Sequence, residues 1–368
     1  MSVSKNHSPL YFPALDGVRG WMALGVLVAH VHLAWFPGAM VLMELFFVIS
    51  GFLITSIVWR GVQGGAGVDL LVFWQRRLQR LMPALVCVVA LCSVVAWTVV
   101  PDFGVVARDA LQTLLYYSNF TKLYNYIYPG PFAQSWSLAV EEQFYLLWPV
   151  LFFAFYKGHL RRWQAASVLV ALALACMAWR YHLIAQGAPW SRLYYALDTR
   201  MDAFVVGGLL ALWYPRLSAW SQGRWAHGLL SLAACAFLVL VLWGTPKELA
   251  YFYWQQTAAV LTAALLVLLL ASPRVGMFQW LCSLPVSKFL GRRCYSLYLW
   301  HWPVIWILLM LRPWPEADKP WLLALVLPLT VLLSMGSYRW CERPFMRQRR
   351  ALAQAAQAPA LALAPGVA

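Results

Sequence analysis

The chain has 368 residues, 62% of them hydrophobic and 11% charged, with a mean hydropathy of +0.66, values that exclude a water-soluble globular domain of this length. Its 28 Lys and Arg against 13 Asp and Glu give a formal charge of +15. Taken alone that charge fits nucleic acid or another anionic partner, and its placement along the chain excludes nucleic acid, as the loops show. Seven cysteines (Cys87, Cys92, Cys176, Cys235, Cys282, Cys294 and Cys341) are scattered without a CxxC or a Cys/His cluster. They read as small hydrophobes, with no disulfide framework and no metal site.

In chain order, residues 1–20 are a polar, Pro-containing segment without a small-residue cleavage site after a short apolar core, so a removed signal peptide is not expected. A membrane-crossing helix needs about 20 apolar residues. On that scale ten spans are predicted: 21–36, 41–59, 82–100, 136–156, 163–184, 201–215, 226–244, 252–271, 294–311 and 321–340. Assigning every Lys and Arg to its nearest loop puts 20 of the 28 on one side and 8 on the other. The positive-inside rule then sets both termini in the cytoplasm, and the net charge is mainly a topology signal. The expected architecture is an all-α polytopic membrane protein with its membrane domain over 21–346. Residues 101–135 are too polar to span and fall outside, as an amphipathic helix and a Tyr-rich loop that suit either a lid or carbohydrate platform or an interfacial connector. The tail, 347–368, is Ala/Pro-rich and of low complexity, expected to be disordered.

Ionisable side chains inside a bilayer cost roughly 2.5 to 3.5 kcal/mol even on a lenient insertion scale, so each one needs a partner or a wet cavity. Arg19 and His30 are eleven residues apart, which on a continuous helix returns to within about 20° and separates them by about 16 Å along the axis. Arg19 therefore belongs to the cytoplasmic mouth and His30 to the outer half. A core histidine and a headgroup-anchoring arginine give the same pattern. In SWSLAVEEQFYLLWP, Ser137 and Glu141 share one face near the outer end while Glu142 points elsewhere. Ser137 caps the helix in one reading. In the other, Glu141 lies at the depth of His30 and fixes its tautomer, with Glu44 as the rival carboxylate. Ser50 and Gly51 suit close helix packing better than nucleophilic catalysis. Arg77 and Arg80 share a face, with Arg76 alongside and Arg19, Arg292 and Arg293 in other cytoplasmic segments. They are topology determinants, or a guanidinium cluster suited to phosphate. His301, two residues before Pro303, either bonds the carbonyl that the proline frees or faces a pocket. Arg180 and His182 are expected to snorkel, and Asp198, Arg200 and Asp202 to form a salt-bridged helix entry.

LDGVRG with His30, then FFVISGFLI, RRLQRLMP, SWSLAVEEQFYLLWP, YSLYLWHWP and ERPF, in that order over about residues 12–346, together resemble the integral-membrane acyltransferase family 3. The resemblance implies ten helices and transfer of an acyl group, usually acetyl, from cytosolic acyl-CoA to a hydroxyl of an extracytoplasmic or lipid-linked carbohydrate. It implies that Arg19 and His30 match the family's arginine and histidine ten residues between, that Arg77 and Arg80 match its arginine pair, and that Ser137 and Glu141 match its serine-to-glutamate motif. Glu44 departs from the aspartate of many relatives. An appended soluble esterase-like domain of the kind some members carry is not expected from these residues, and a separate extracytoplasmic transfer partner is one expectation.

On this reading His30 is the general base, oriented by Glu141, or else a transient acyl carrier. Arg19, Arg76, Arg77, Arg80 and Arg292 hold the acyl-CoA phosphates; Glu44, Ser137, His301 and Arg200 contact the acceptor. The setting is the bacterial cytoplasmic membrane, with no metal required. A small hydrophobic glycoside such as a macrolide is the alternative acceptor. A proton-coupled transporter or lipid-linked-sugar flippase is the alternative class, against which stand the arginine pair and the lack of repeated halves.

Overall fold

A computed structural model describes residues 11–64, 69–123, 130–245 and 247–345, and among these the regular structure is entirely helical. Helix α1 (Pro13–Val31) begins with proline at its first position, where no amide donor is needed, and sets Asp16 in its first turn on the positive end of the helix dipole. α2 (Leu42–Gln63) and α3 (Leu70–Val99) follow, the latter capped by Asp69 Oδ1, which accepts from Val72 N at 3.0 Å. The expected outer segment supplies the short α4 (Phe103–Leu114) and α5 (Ser118–Leu123); its Tyr-rich stretch, 124–129, lies outside the described residues. Then come α6 (Trp136–Lys157), α7 (Arg162–Ala185), short α8 (Trp190–Tyr195), α9 (Met201–Ser221) and α10 (Arg224–Trp243). A π-helical turn, Tyr251–Gln255, leads into α11 (Gln256–Ala271), and α12 (Met277–Cys282) and α13 (Pro285–Arg292) are short. α14 (Cys294–Leu311) and α15 (Lys319–Ser337), which runs into a second π-helical turn, Tyr338–Glu342, complete the bundle.

Nine helices among the described residues are long and apolar enough to cross a membrane. α9, the sixth expected span, is not one of the nine, yet it continues through Pro215 to Ser221 instead of stopping at 215. Its surroundings explain its lower apolarity, because it packs in the middle of the protein against α2. The α2 segment is the best shielded of the nine, 78% buried, whereas α7, α10 and the α15 segment bury 22–28% and form the rim. Two glycines set the α2–α9 distance: a Cβ on Gly51 would run into the carbonyl oxygen of Phe204, and one on Gly207 into that of Val48. Gly51 is thus a packing residue, as the sequence indicated. The two ends of the described chain share one side, since Asp16 and Glu342 both lie within electrostatic reach of Arg80.

One expectation about this region is overturned. Arg180 does not snorkel; it is wholly buried, with Nη1 2.8 Å from Asp202 Oδ2 and donating to the Thr199 carbonyl at 2.9 Å. An acid on the neighbouring helix satisfies the guanidinium where it stands, so reaching for water gains nothing. His182 is exposed and stacks on Trp179.

Gly207→Val, which drives Cγ branches into the α2 backbone, is expected to cost about 1–3 kcal/mol or more. Thermal unfolding of the detergent-solubilised protein reads this as a lowered Tm, whereas an equivalent change at the open Gly228 leaves it within about 0.5 kcal/mol.

Candidate active site

His30 comes one residue before the end of α1 and opens into a cavity of about 430 Å³, on the side away from the chain ends, together with Gln134, Trp136, Tyr194, Tyr298 and Trp302. Its Nδ1 lies 3.2 Å from Nε2 of His301, the rings stacked at 5.2 Å. His301 is fully buried on α14, and its Nδ1 is 2.6 Å from the Tyr298 carbonyl oxygen. A carbonyl only accepts, so His301 Nδ1 carries the proton and Nε2 a lone pair. Neutral His30 then donates from Nδ1, toward that lone pair and the Val26 carbonyl one turn back, and its own Nε2 is left unprotonated, without a side-chain partner among the described residues. The carbonyl that Pro303 leaves without an intrahelical donor, that of Leu299, is taken by Gln134 Nε2 at 3.0 Å and not by His301.

Glu141 is not the residue found against His30. Its Oε1 accepts from Ser50 Oγ and from Tyr145 Oη, the latter at 2.5 Å. The physical reason is depth and partner supply. Glu141 is the sixth residue of α6, about 7.5 Å below the helix start, where α2 offers a hydroxyl and its own next turn a phenol. Ser137, a helix cap in one reading and an acceptor contact in the other, is inside α6, and its Oγ is 2.5 Å from Tyr298 Oη, which donates to the Gln134 carbonyl at 3.0 Å. Tyr298 therefore joins the foot of α6 to the histidine pair, its ring 5.0 Å from that of His301.

Below Glu141 stand the arginines. Glu142, which points away from Glu141 as its helical position requires, meets Arg77 at 2.8 Å, and the Arg77 guanidinium lies 3.1 Å from the centre of the Tyr145 ring. Arg80 is within electrostatic reach of Arg19 and Arg77, and among the described residues it closes no ion pair within 4 Å. Arg19 Nε is buried without a hydrogen-bond partner, facing the field of Glu141 and Tyr145. Arg76, Arg77 and Arg80 line a hollow of about 310 Å³ on the side of the chain ends. Arg292 is apart from this hollow, at the exposed end of α13 and within reach of Tyr11.

Glu44 and Arg200, expected to touch the acceptor, face each other instead. Both are wholly buried, with Nη2 2.8 Å from Oε1, and Tyr251 of the π-helical turn donates to the same oxygen at 2.6 Å. Arg200 also lies over the Tyr194 ring at 4.4 Å. The pair stands behind the Tyr194 wall of the cavity and outside its lining. A fully buried carboxylate in a membrane needs a cation more than a substrate, and α9 supplies one. Asp198 and Asp202 pair with Arg192 and Arg180, so the helix-entry charges are salt-bridged, each to a partner the sequence did not indicate. Tyr145, Tyr298, Gln134 and Tyr251 were not singled out beforehand; a polar atom in an aromatic-rich span was the available signal.

The geometry defines a polytopic helical membrane protein with a histidine facing one chamber and three arginines, Arg76, Arg77 and Arg80, lining another. The chain belongs to acyltransferase family 3: the family model, described as an acyltransferase domain, matches residues 12–339. It is 33% identical to the putative peptidoglycan O-acetyltransferase YrhL of Bacillus subtilis over 356 residues, covering 92% of this chain and 55% of that protein. It is 29% identical to the O-acetyltransferase OatA of Staphylococcus aureus, covering 94% of this chain and 59% of that one. The peptidoglycan O-acetyltransferase OatA of Listeria monocytogenes is 28% identical, with 94% and 58% covered. The chain thus spans little more than half the length of these relatives. No solved structure matches it.

Arg200→Met strands the Glu44 carboxylate and is expected to cost about 3–5 kcal/mol, seen as a large fall in Tm. The double variant Arg200→Met with Glu44→Leu should recover most of that loss. A double variant no more stable than the single one would mean that the pair is not the source of the cost.

Proposed function

We propose that the protein is a membrane O-acyltransferase that moves an acyl group, acetyl first, from cytosolic acyl-CoA to a hydroxyl of an extracytoplasmic or lipid-linked carbohydrate, in the bacterial cytoplasmic membrane. The names of its relatives support this reading. The observation that carries it is the free Nε2 of His30, held in its tautomer by His301 and facing a cavity large enough for a sugar.

The guanidinium groups of Arg76 and Arg80, which line the hollow without an ion pair, and that of Arg19, unpartnered outside its lining, fit the phosphates of a CoA group, which offer the acceptor oxygens these donors lack. Acyl-CoA supplies the activated thioester. His30 Nε2 takes the proton of the acceptor hydroxyl as its oxygen bonds to the acyl carbon, and the imidazolium then returns that proton to the departing thiolate. His301 accepts a hydrogen bond from His30 Nδ1 throughout, so the proton moves only at Nε2. It is a positioning residue in place of the carboxylate expected from sequence. Glu141 holds Ser50 and Tyr145, and through the Tyr145 ring the place of Arg77.

His30→Ala is expected to abolish transfer of label from acetyl-CoA to surface glycan in a membrane assay while protein level is unchanged; normal turnover would remove His30 from the mechanism. His301→Phe should lower kcat by about 10²-fold with KM for acetyl-CoA within about twofold, because the donor site is untouched. Acetyl-CoA, but not acetate, should raise the Tm of the purified protein, and Arg80→Ala should remove that rise.

A further inference from the structure

The cavity in front of His30 has two cations on its border that the reaction above does not use. Lys122, on α5, and Lys247, in the connection between α10 and the π-helical turn, both line it. All 13 acids of the chain fall within the described residues, and neither lysine forms an ion pair within 4 Å with any of them. Burial pushes the Lys122 ammonium below the ordinary lysine range, and Asp109, at longer range, partly offsets this. Glu248 is next to Lys247 in sequence and leaves it unpaired. The side of the protein on which these lysines stand has few cations, so an orientation signal does not explain two of them at one cavity.

A third group points the same way. Gln134 is 4% exposed, its Nε2 is committed to the Leu299 carbonyl, and its Oε1 has no partner. The cavity wall therefore offers two cations that close no ion pair within 4 Å, among the aromatic rings of Trp136, Tyr194, Tyr195 and Trp302, with the unpartnered Gln134 oxygen buried in that wall. Ring faces suit the apolar side of a sugar, the Gln134 oxygen suits a hydroxyl or amide N–H, and the ammonium groups call for an anion.

We propose that this cavity selects an acceptor carrying an anionic group, carboxylate or phosphate, bound by Lys122 and Lys247 while its hydroxyl meets His30. The proposal rests on the acyl-transfer reading for the role of the hydroxyl; the anion preference itself is a binding property and needs no turnover.

The test is equilibrium dialysis with the full chain in phosphatidylcholine nanodiscs against three labelled probes. These are the neutral disaccharide of two N-acetylglucosamine units, its counterpart with an N-acetylmuramic acid carboxylate, and N-acetylglucosamine 1-phosphate. At least one anionic probe is expected to bind about tenfold more tightly than the neutral one, as one charge-assisted contact allows. Whichever binds tells carboxylate from phosphate. The preference should fall to about one in Lys122→Gln/Lys247→Gln and survive in Lys122→Arg, with acetyl-CoA-dependent thermal stabilisation unchanged in all. Equal binding of charged and neutral probes, binding of none, or a preference that survives loss of both lysines would overturn the proposal. So would loss of the preference in phosphatidylglycerol nanodiscs, since the lysines would then be headgroup sites. Failure of His30→Ala to stop transfer would overturn the acyl-transfer reading and leave the dialysis result standing.

Discussion

Charge that has been taken out of water must be matched, and this bundle is organised around that constraint. Glu44 with Arg200 and Arg180 with Asp202 tie α2, α7 and α9 together from inside, beside the glycines that bring α2 and α9 into backbone contact. Each pair removes a cost that either partner alone would impose, and their value lies in specifying one packing arrangement more than in net stability. With those charges matched, the unmatched ones stand out: the guanidinium groups of Arg19 and Arg80, and the free nitrogen of His30. A charge or base left without a partner in such a setting is where a ligand completes the structure.

The histidine pair shows how a backbone defect is put to use. Pro303 withdraws one amide from α14, and Gln134 covers the carbonyl that results. His301, two residues before the proline, bonds the carbonyl of Tyr298 in the preceding turn and presents its other nitrogen to α1. The Nδ1 proton of His30 is held both through that ring and by the Val26 carbonyl of its own helix. An imidazole in this position brings no further charge into the membrane, as a carboxylate would.

Runs of about 20 apolar residues make the span positions legible, and helical geometry the opposite placement of Arg19 and His30 and the shared face of Ser137 and Glu141. Periodicity reports which way a residue faces along its own helix and carries no information about which helix stands opposite. Glu141 was therefore assigned to His30 when its partners are Ser50 and Tyr145, and Glu142 was set aside as facing elsewhere when elsewhere is Arg77. Glu44 and Arg200 were read as acceptor contacts because nothing in sequence tells a buried carboxylate with a cation from one facing a cavity. The expected span ends at Pro215, yet α9 continues through it to Ser221.

Tyr145 couples the arginine hollow to the carboxylates around it. Its ring lies beneath the Arg77 guanidinium while its hydroxyl is committed to Glu141, and Arg77 in turn neutralises Glu142. Truncating Arg77 thus removes a cation, uncovers an aromatic face and orphans an acid in a single stroke, so the resulting phenotype conflates ligand affinity with scaffold integrity. Arg80, which closes no ion pair within 4 Å among the described residues and feels Asp16 and Glu342 only at longer range, is the side chain whose deletion disturbs the scaffold less.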